Sequence, residues 1–117
     1  MVKLYGIPNC DTVKKALTYF KDKGIPVSFH NFKTDGISAE KLEEWFSATG
    51  INKVVNKAST TYKDLDESLK QALESPPSAI PIIQEHTSIV KRPVVEAHGK
   101  TLLGFKKDDY DTIFSEK

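Results

Sequence analysis

A chain of 117 residues is long enough to bury a hydrophobic core as one domain without a metal or a disulfide, and we predict a single domain over residues 1–117. Its 17 basic and 16 acidic residues leave a net charge of +1, which gives no electrostatic basis for binding nucleic acid or an anionic membrane. No stretch approaches the ~20 apolar residues that span a bilayer, and no signal-peptide pattern is present. We therefore expect a cytoplasmic monomer.

The single cysteine, Cys10, lies where a strand is predicted to pass into a helix. Apolar and polar residues alternate over Val2-Lys3-Leu4-Tyr5, which is typical of a half-buried strand, and Gly6-Ile7-Pro8 favours a turn. Beyond Cys10, apolar residues recur at the spacing of one helix face, at Val13, Ala16, Leu17 and Phe20. The helix is predicted to end near Lys23, because a glycine and a proline follow it.

The predicted position of Cys10 favours a reactive thiol. The unpaired backbone N–H groups and the positive end of the helix dipole both stabilise an anion at a helix start. Helix N-termini and nearby cations such as Lys14 promote ionisation of a thiol to the nucleophilic thiolate, whereas Asp11 would oppose it. The alternative interpretation is a buried, inert cysteine, since an unpaired cysteine often behaves as a small hydrophobic residue.

The middle of the chain is predicted to be mostly helical. Residues 27–32 alternate again and form a second strand, parallel to the first through a right-handed crossover, and residues 33–36 form a turn. Ser38 is predicted to cap a helix that ends near Gly50 and buries Leu42, Trp45 and Phe46. Residues 51–61 show no clear period and are predicted to be an irregular, mostly polar loop.

Prolines divide the next segment. A helix over residues 66–73 is predicted to end at Pro76-Pro77. Ser78 is predicted to cap a further short helix, in which Pro81 is tolerated because it falls within the first turn.

The last third of the chain is predicted to be a hairpin followed by a helix. The hairpin consists of a strand over 94–96, a turn over 97–100 and a strand over 101–105. Within that strand Gly104 indicates a bulge or a close backbone approach, and the final helix covers 107–114.

The three histidines are predicted to have surface roles. His30 lies on the polar side of the second strand, His86 near a helix end and His98 in a turn. None has the spacing of a metal ligand, and no metal site is predicted.

The order strand–helix–strand, helices, hairpin, helix predicts an α/β fold. We expect a thioredoxin-like mixed four-stranded sheet, with a helical insertion over about 37–90 between the strand–helix–strand unit and the hairpin. In this layout a proline just before the third strand approaches the cysteine turn, and Pro93 occupies that place. A cis Arg92–Pro93 bond is therefore predicted, on the fold assignment rather than on base rates.

Four segments carry a family resemblance. Residues 5–16, 56–62, 89–95 and 103–105 resemble, in the right order, the ArsC-type arsenate reductase family, in the branch that contains YffB-like and Spx-like proteins. The resemblance extends over essentially the whole chain, and the combination of Cys10 with Arg92-Pro93 is its most specific part.

The resemblance implies functional roles, residue by residue. Cys10 matches the nucleophile of arsenate reductases, and Arg92 matches one of three arginines that hold the oxyanion. The other two do not transfer: Ala58, with Lys57 beside it, occupies the loop position of one arginine, and the other, expected near the end of the hairpin, is replaced by Lys106 or lost. Because lysine lacks the two-pronged donor of arginine, arsenate binding is expected to be weak. The complete set of candidate substrate-binding residues is Asn9, Thr12, Lys57, Arg92, Pro93 and Lys106.

Two of these roles have simpler alternatives. Thr12 either donates a hydrogen bond to the sulfur or is an ordinary first-turn residue. Lys57 and Lys106 either bind an anion or are solvated surface lysines.

Three functions remain open. The first is a single-cysteine thiol reductase that forms a mixed disulfide with glutathione as co-substrate and holds no bound cofactor. The second is arsenate reduction with glutathione or a glutaredoxin-like thiol donor. The third is an Spx-like regulator that binds RNA polymerase without catalysis. Val13 stands where many Spx proteins have the second cysteine of a Cys-x-x-Cys pair, so an intramolecular redox switch is excluded.

Overall fold

The computed structural model describes residues 2–114, and within them four strands form one mixed sheet. The strands are β1 (Val2–Gly6), β2 (Val27–Asn31), β3 (Val94–Ala97) and β4 (Lys100–Leu103). Their order in the sheet is β2-β1-β3-β4. β1 pairs with β2 in parallel and with β3 in antiparallel fashion, while β3 and β4 form an antiparallel hairpin. The predicted mixed four-stranded α/β sheet is confirmed.

Most of the remaining described residues are helical. In chain order the helices are α1 (Asp11–Asp22), α2 (Phe32–Asp35), α3 (Ala39–Thr49), α4 (Ile51–Val54), α5 (Thr60–Lys63), α6 (Glu67–Ala72), α7 (Pro76–Glu85) and α8 (Lys107–Phe114). A single 3₁₀ turn, Thr87–Ile89, follows α7. In residues 2–114 no helix has the length and apolar character that crossing a bilayer requires.

The chain divides into two compact units. The sheet unit comprises residues 2–31 and 92–114, and the helical unit comprises residues 32–91. The helical unit begins five residues before the predicted start of the insertion at 37, because β2 leads directly into α2. The assignment of the whole chain to a single domain stays a prediction.

The core of the sheet unit lies on one face of the sheet, under α1 and α8. Side chains from β1 and β3 pack there against an aromatic cluster. In this cluster the ring centroids of Phe20 and Phe114 are 5.0 Å apart and those of Phe105 and Tyr110 are 4.8 Å apart, in edge-to-face arrangements. Tyr19 contacts Tyr110 in the same way, with ring centroids 5.3 Å apart.

Gly104 connects the hairpin to α8. It lies just beyond β4 with a φ of +79°, so the strand ends before it rather than running to residue 105. Its N–H donates a 2.9 Å hydrogen bond to the Pro93 carbonyl. Its own carbonyl accepts a 3.0 Å hydrogen bond from the Tyr110 hydroxyl, and Tyr110 is 1% exposed. The prediction that the backbone is closely approached at Gly104 is thereby explained.

A close approach between β1 and α1 fixes the turn that contains Cys10. Gly6 is buried at the end of β1, and a Cβ atom added to it would lie 2.7 Å from Cγ2 of Val13. Val13 is itself fully buried in the core. Only glycine at position 6 therefore lets the strand and the helix pack at this distance.

In the helical unit, α3 follows the sequence prediction closely. The Ser38 side chain accepts a hydrogen bond from the Lys41 N–H at 3.1 Å, and the helix ends where the Gly50 N–H donates to the Phe46 carbonyl at 2.8 Å. Trp45 is fully buried, as predicted.

Two short helices replace part of the predicted loop over 51–61. α4 and the start of α5 lie in this segment, and the Ser59 side chain caps α5 by accepting from the Tyr62 N–H at 3.1 Å. Four residues make barely one helical turn, which is too short to leave a hydrophobic period in the sequence.

The predicted start of α7 is wrong. Pro76 and Pro77 begin the helix, because the first-turn N–H groups of a helix have no intrahelical partner and proline loses nothing there. Ser78 is not the cap: its hydroxyl donates to the Ala72 carbonyl at 2.6 Å. Pro81 consequently lies in the helix interior, on an exposed face, and not in the first turn.

We expect Tyr110→Phe to lower the free energy of unfolding by about 1–2 kcal/mol, because the buried Gly104 carbonyl loses its hydroxyl donor. Urea unfolding followed by circular dichroism measures this change. Tyr62→Phe is the matched control, since the Tyr62 hydroxyl donates no hydrogen bond within residues 2–114, and it should leave the unfolding free energy unchanged. Equal losses in the two variants would contradict the proposed bond.

We expect Gly6→Ala to lower the free energy of unfolding by about 1–3 kcal/mol, because the new methyl group overlaps Val13. In a Val13→Ala background the same substitution should cost less, since the overlapping methyl groups are gone. A double-mutant cycle on urea unfolding would measure a coupling of about 1 kcal/mol or more. Additive losses would show that the two side chains do not compete for this space.

Candidate functional site

Cys10 is the N-cap residue of α1. Its backbone is extended, with φ −90° and ψ 126°, and its carbonyl accepts the first helical hydrogen bond from the Lys14 N–H at 3.0 Å. The residue is half-buried, packs against the core of the sheet unit, and its side chain makes no capping hydrogen bond. Serine, threonine, asparagine and aspartate usually satisfy the first N–H groups of a helix from this position. Here the cysteine sulfur occupies it.

The turn before Cys10 spans four residues. The Cys10 N–H donates to the Ile7 carbonyl at 3.4 Å, which closes a turn with Pro8 in its second position. The ring of Pro8 fixes φ at the value that this position needs. Asn9 is exposed at the third position.

Arg92 lies just before β3, at the end of the sheet where β1 leads into the Cys10 turn. Tyr5 pairs with Val94, and continuing this antiparallel register by one residue places Pro93 opposite Gly6. Pro93 is buried, and the Arg92–Pro93 peptide bond is cis, as predicted. The end of β1 that leads into the Cys10 turn is therefore next to the start of β3.

Arg92 is half-buried, and its guanidinium makes no ion pair within the described part of the chain. Arginine is always charged and offers five N–H donors in a planar fork. The side chain is therefore available to an anionic ligand.

Two other candidates belong to the sheet unit. Thr12 is a half-buried residue in the first turn of α1. Lys106 is exposed, and its carbonyl accepts from the Tyr110 N–H at 3.1 Å at the start of α8. Within residues 2–114, neither the Thr12 nor the Lys106 side chain has a hydrogen-bond partner.

Lys57 belongs to the helical unit and already has a carboxylate partner. Its Nζ lies 3.1 Å from Oε2 of Glu74, and this hydrogen bond raises the pKa of Lys57 above its ordinary value. The neighbouring Ala58 N–H donates to Oδ1 of Asn56 at 3.2 Å. An anion at Lys57 would have to compete with Glu74, although a half-exposed ion pair of this kind is weak.

A polar group on the sheet was not singled out from the sequence. The Tyr5 hydroxyl donates to Oε1 of Glu96 at 3.0 Å, and the rings of Tyr5 and His30 lie 5.0 Å apart. His30 is consequently half-buried rather than freely solvated. Alternation alone places these three residues on one face, but only the strand register shows that they meet.

The other two histidines lie apart from the cysteine turn in the sequence. Nε2 of His86 is 3.6 Å from the adjacent Glu85 carboxylate, and exposed His98 contacts Phe114 with ring centroids 5.6 Å apart. Residues 2–114 hold no cluster of three histidine, cysteine, aspartate or glutamate side chains suited to a metal ion.

Comparison with known proteins gives matches along almost the full length. The model of the ArsC family matches residues 5–113. An uncharacterized protein of Haemophilus influenzae is 37% identical over 115 residues, covering 98% of this chain and 100% of its own. The solved structure of a YffB protein has a TM-score of 0.90 at 41% identity, covering 96% of this chain and 97% of the other.

A structure of an arsenate reductase-related protein from Brucella melitensis has a TM-score of 0.74 at 37% identity, covering 98% of this chain and 95% of the other. More distantly, the global transcriptional regulator Spx of Staphylococcus aureus is 24% identical over 123 residues, covering 100% of this chain and 89% of its own.

A glutaredoxin from Archaeoglobus fulgidus shares the fold alone, with a TM-score of 0.52 at 16% identity over 98% of this chain and 86% of the other. The thioredoxin-like fold predicted from the element order is therefore confirmed. The family model covers residues 5–113, and relatives that match nearly the full length are more than one third identical to this chain. The chain therefore belongs to the ArsC family.

Proposed function

We propose that the chain is a single-cysteine thiol reductase that acts through a mixed disulfide between Cys10 and glutathione. The observation that carries the proposal is the position of Cys10, a half-buried residue, as the N-cap of the twelve-residue helix α1, where its side chain makes no capping hydrogen bond. A cysteine in this position can act as the nucleophile of a thiol–disulfide exchange.

The proposed reaction has two exchange steps. The Cys10 thiolate attacks the glutathione sulfur of a glutathionylated substrate; the new disulfide joins Cys10 to glutathione, and the substrate sulfur leaves as a thiolate. A second glutathione thiolate then attacks the glutathione sulfur of this mixed disulfide. Cys10 leaves as a reduced thiolate, and glutathione disulfide is released as the product of the two-electron oxidation of glutathione. One protein cysteine is sufficient, which suits a chain that has only one.

Arg92 and Pro93 are proposed to position glutathione. The planar guanidinium of Arg92 suits a carboxylate, and glutathione carries two of them. Pro93 lies opposite Gly6 in the continued strand register, so it stands at the end of β1 from which the Cys10 turn departs. Asn9 directly precedes the cysteine and Thr12 follows it by two residues, and they are the uncharged polar side chains nearest to it in the sequence.

Arsenate reduction is the less favoured enzyme activity. It would use the same Cys10 nucleophile, but arsenate requires several strong donors, and Arg92 is the single arginine of the chain. Lys57, next to Ala58, is paired with Glu74. A lone guanidinium offers one two-pronged contact to the oxyanion.

A regulatory role is the second candidate, because the Spx regulator matches this chain over its full length. In that case the chain would bind RNA polymerase without turnover. Such binding would survive Cys10→Ser, whereas the reductase activity would not.

We expect the wild-type protein to acquire one glutathione on Cys10 when it is treated with glutathione disulfide. It should also reduce glutathionylated 2-mercaptoethanol in a coupled assay with glutathione, glutathione reductase and NADPH. Cys10→Ser should abolish both the adduct and the turnover, because the nucleophile is lost. Mass spectrometry and NADPH absorbance measure the two quantities, with circular dichroism to confirm that the variant folds.

A further comparison separates a reactive cysteine from an inert one. The folded protein should react with iodoacetamide near pH 7 at least as fast as the same protein unfolded in urea, because a nucleophilic cysteine is reachable in the folded state, whereas an inert core cysteine is alkylated only after unfolding. A slower reaction in the folded state, with no glutathione adduct, would refute the enzyme proposal and leave polymerase binding as the hypothesis to pursue.

We expect Arg92→Gln to lower the rate with glutathionylated substrate by about ten- to a hundredfold, the value of a charged hydrogen bond to a carboxylate. The rate of the direct reaction of Cys10 with hydroxyethyl disulfide, which has no carboxylate, should fall far less; this rate is measured without glutathione, which would convert the reagent into glutathionylated 2-mercaptoethanol. Lys91→Gln is the matched control, because it removes a neighbouring exposed positive charge. Equal losses with both disulfides, or equal losses in both variants, would rule out carboxylate recognition by Arg92.

A further inference from the structure

A shallow groove of about 410 Å³ runs beside the outer face of α1 in the sheet unit. Lys14, Thr18 and Asp22 follow one another along α1 at intervals of four residues, which is one helical row. Phe105 and Lys107, just before and at the start of α8, form the opposite side.

The floor of the groove is aromatic and held in place. The ring of Tyr19 contacts that of Phe105 with centroids 5.9 Å apart, and its hydroxyl donates to Oδ1 of Asp111 at 2.7 Å. Burial and this hydrogen bond raise the pKa of Tyr19, so the phenol stays neutral. The carboxylate of Asp111 also accepts from Lys107 at 3.1 Å, and the Tyr19 and Lys107 hydrogen bonds lower its pKa.

The rim of the groove carries excess positive charge. Three lysines and one aspartate line it. Lys107 shares its charge with Asp111, but Lys14 and Lys15 are exposed and form no ion pair within residues 2–114. A partner that brings carboxylates to this rim gains attraction without breaking an existing ion pair.

The groove begins close to Cys10 and leads away from it. The Lys14 N–H donates to the Cys10 carbonyl. At 1.5 Å per residue, Thr18 stands about 12 Å and Asp22 about 18 Å along the helix axis from Cys10. An extended chain advances about 3.3 Å per residue, so a residue three or four positions from a cysteine bonded to Cys10 reaches the level of Thr18. This length suits a polypeptide rather than the tripeptide glutathione.

We propose that this groove docks an acidic segment of a protein whose cysteine exchanges disulfides with Cys10. The segment places carboxylates at Lys14 and Lys15 and an apolar side chain on Tyr19 and Phe105, within about two to five residues of the partner's cysteine. The inference rests on the proposed function, because it assumes that Cys10 forms mixed disulfides. It adds the class of the protein partner.

The test uses two synthetic octapeptides, each with one cysteine carried as a mixed disulfide with thionitrobenzoate. One has three glutamates and a phenylalanine after the cysteine; the other has glutamines in place of the glutamates. The Cys10 thiolate attacks the peptide sulfur, a Cys10–peptide disulfide forms, and coloured thionitrobenzoate leaves with the electron pair. We expect the glutamate peptide to react about five- to tenfold faster at low salt, and the ratio to approach one near 1 M salt.

Two variants with the same change in charge locate the effect. Lys15→Gln/Thr18→Glu removes a cation from the rim and adds a carboxylate to the groove, so the ratio of the two peptide rates should fall to about one. Lys53→Gln/Ser47→Glu makes equivalent changes at exposed positions of the helical unit and should keep the wild-type ratio. Taking the ratio cancels any change in the intrinsic reactivity of Cys10.

The uncharged reagent dipyridyl disulfide separates the two proposals. If it fails to react with wild-type Cys10, the proposed function itself is refuted. If it reacts but the two peptides react at equal rates, Cys10 is reactive and the docking proposal is wrong. If the ratio fell equally in both double variants, the preference would come from net charge alone, and the proposal that the groove docks an acidic segment would be wrong.

Discussion

The close approach of Gly6 to Val13 is the constraint on which the cysteine site depends. A strand that packs this tightly on the following helix leaves only a four-residue turn between them, and Cys10 ends that turn as the helix cap. Any side chain at position 6 would have to push α1 away from the sheet. The position of the sulfur is thus determined by core packing, several residues before the cysteine itself.

A second connection holds the other half of the site. Gly104 donates to the Pro93 carbonyl and accepts from the Tyr110 hydroxyl, so a buried residue of α8 stabilises the backbone beside the cis-proline. Tyr110 belongs to the same aromatic cluster as Tyr19, whose ring forms the floor of the α1 groove. The cysteine and the floor of the groove therefore pack against one core, and the proline is connected to that core through Gly104.

The sequence predicts the strands and helices whose apolar residues follow a regular period, and the turns at which that period is interrupted. Alternation reveals the strands, and the spacing of apolar residues reveals α1 and its start at Cys10. Pro76 misleads because proline is equally compatible with a helix end and a helix start, and only tertiary structure decides between them. The pairing of Lys57 with Glu74 and the contact of Tyr5 with Glu96 join residues far apart in sequence, so no local pattern indicates them.

The strand order also determines when the site can exist during synthesis of the chain. β1, which leads to Cys10, is an interior strand between β2 and β3, and the whole helical unit separates β2 from β3 in sequence. Until that unit and the following hairpin have left the ribosome, β1 has an unpaired edge and Arg92 is absent. Closing so long a loop is entropically costly, and nascent chains with open strand edges are prone to mispairing. The nascent chain therefore presents its only thiol well before the structure that is proposed to control it.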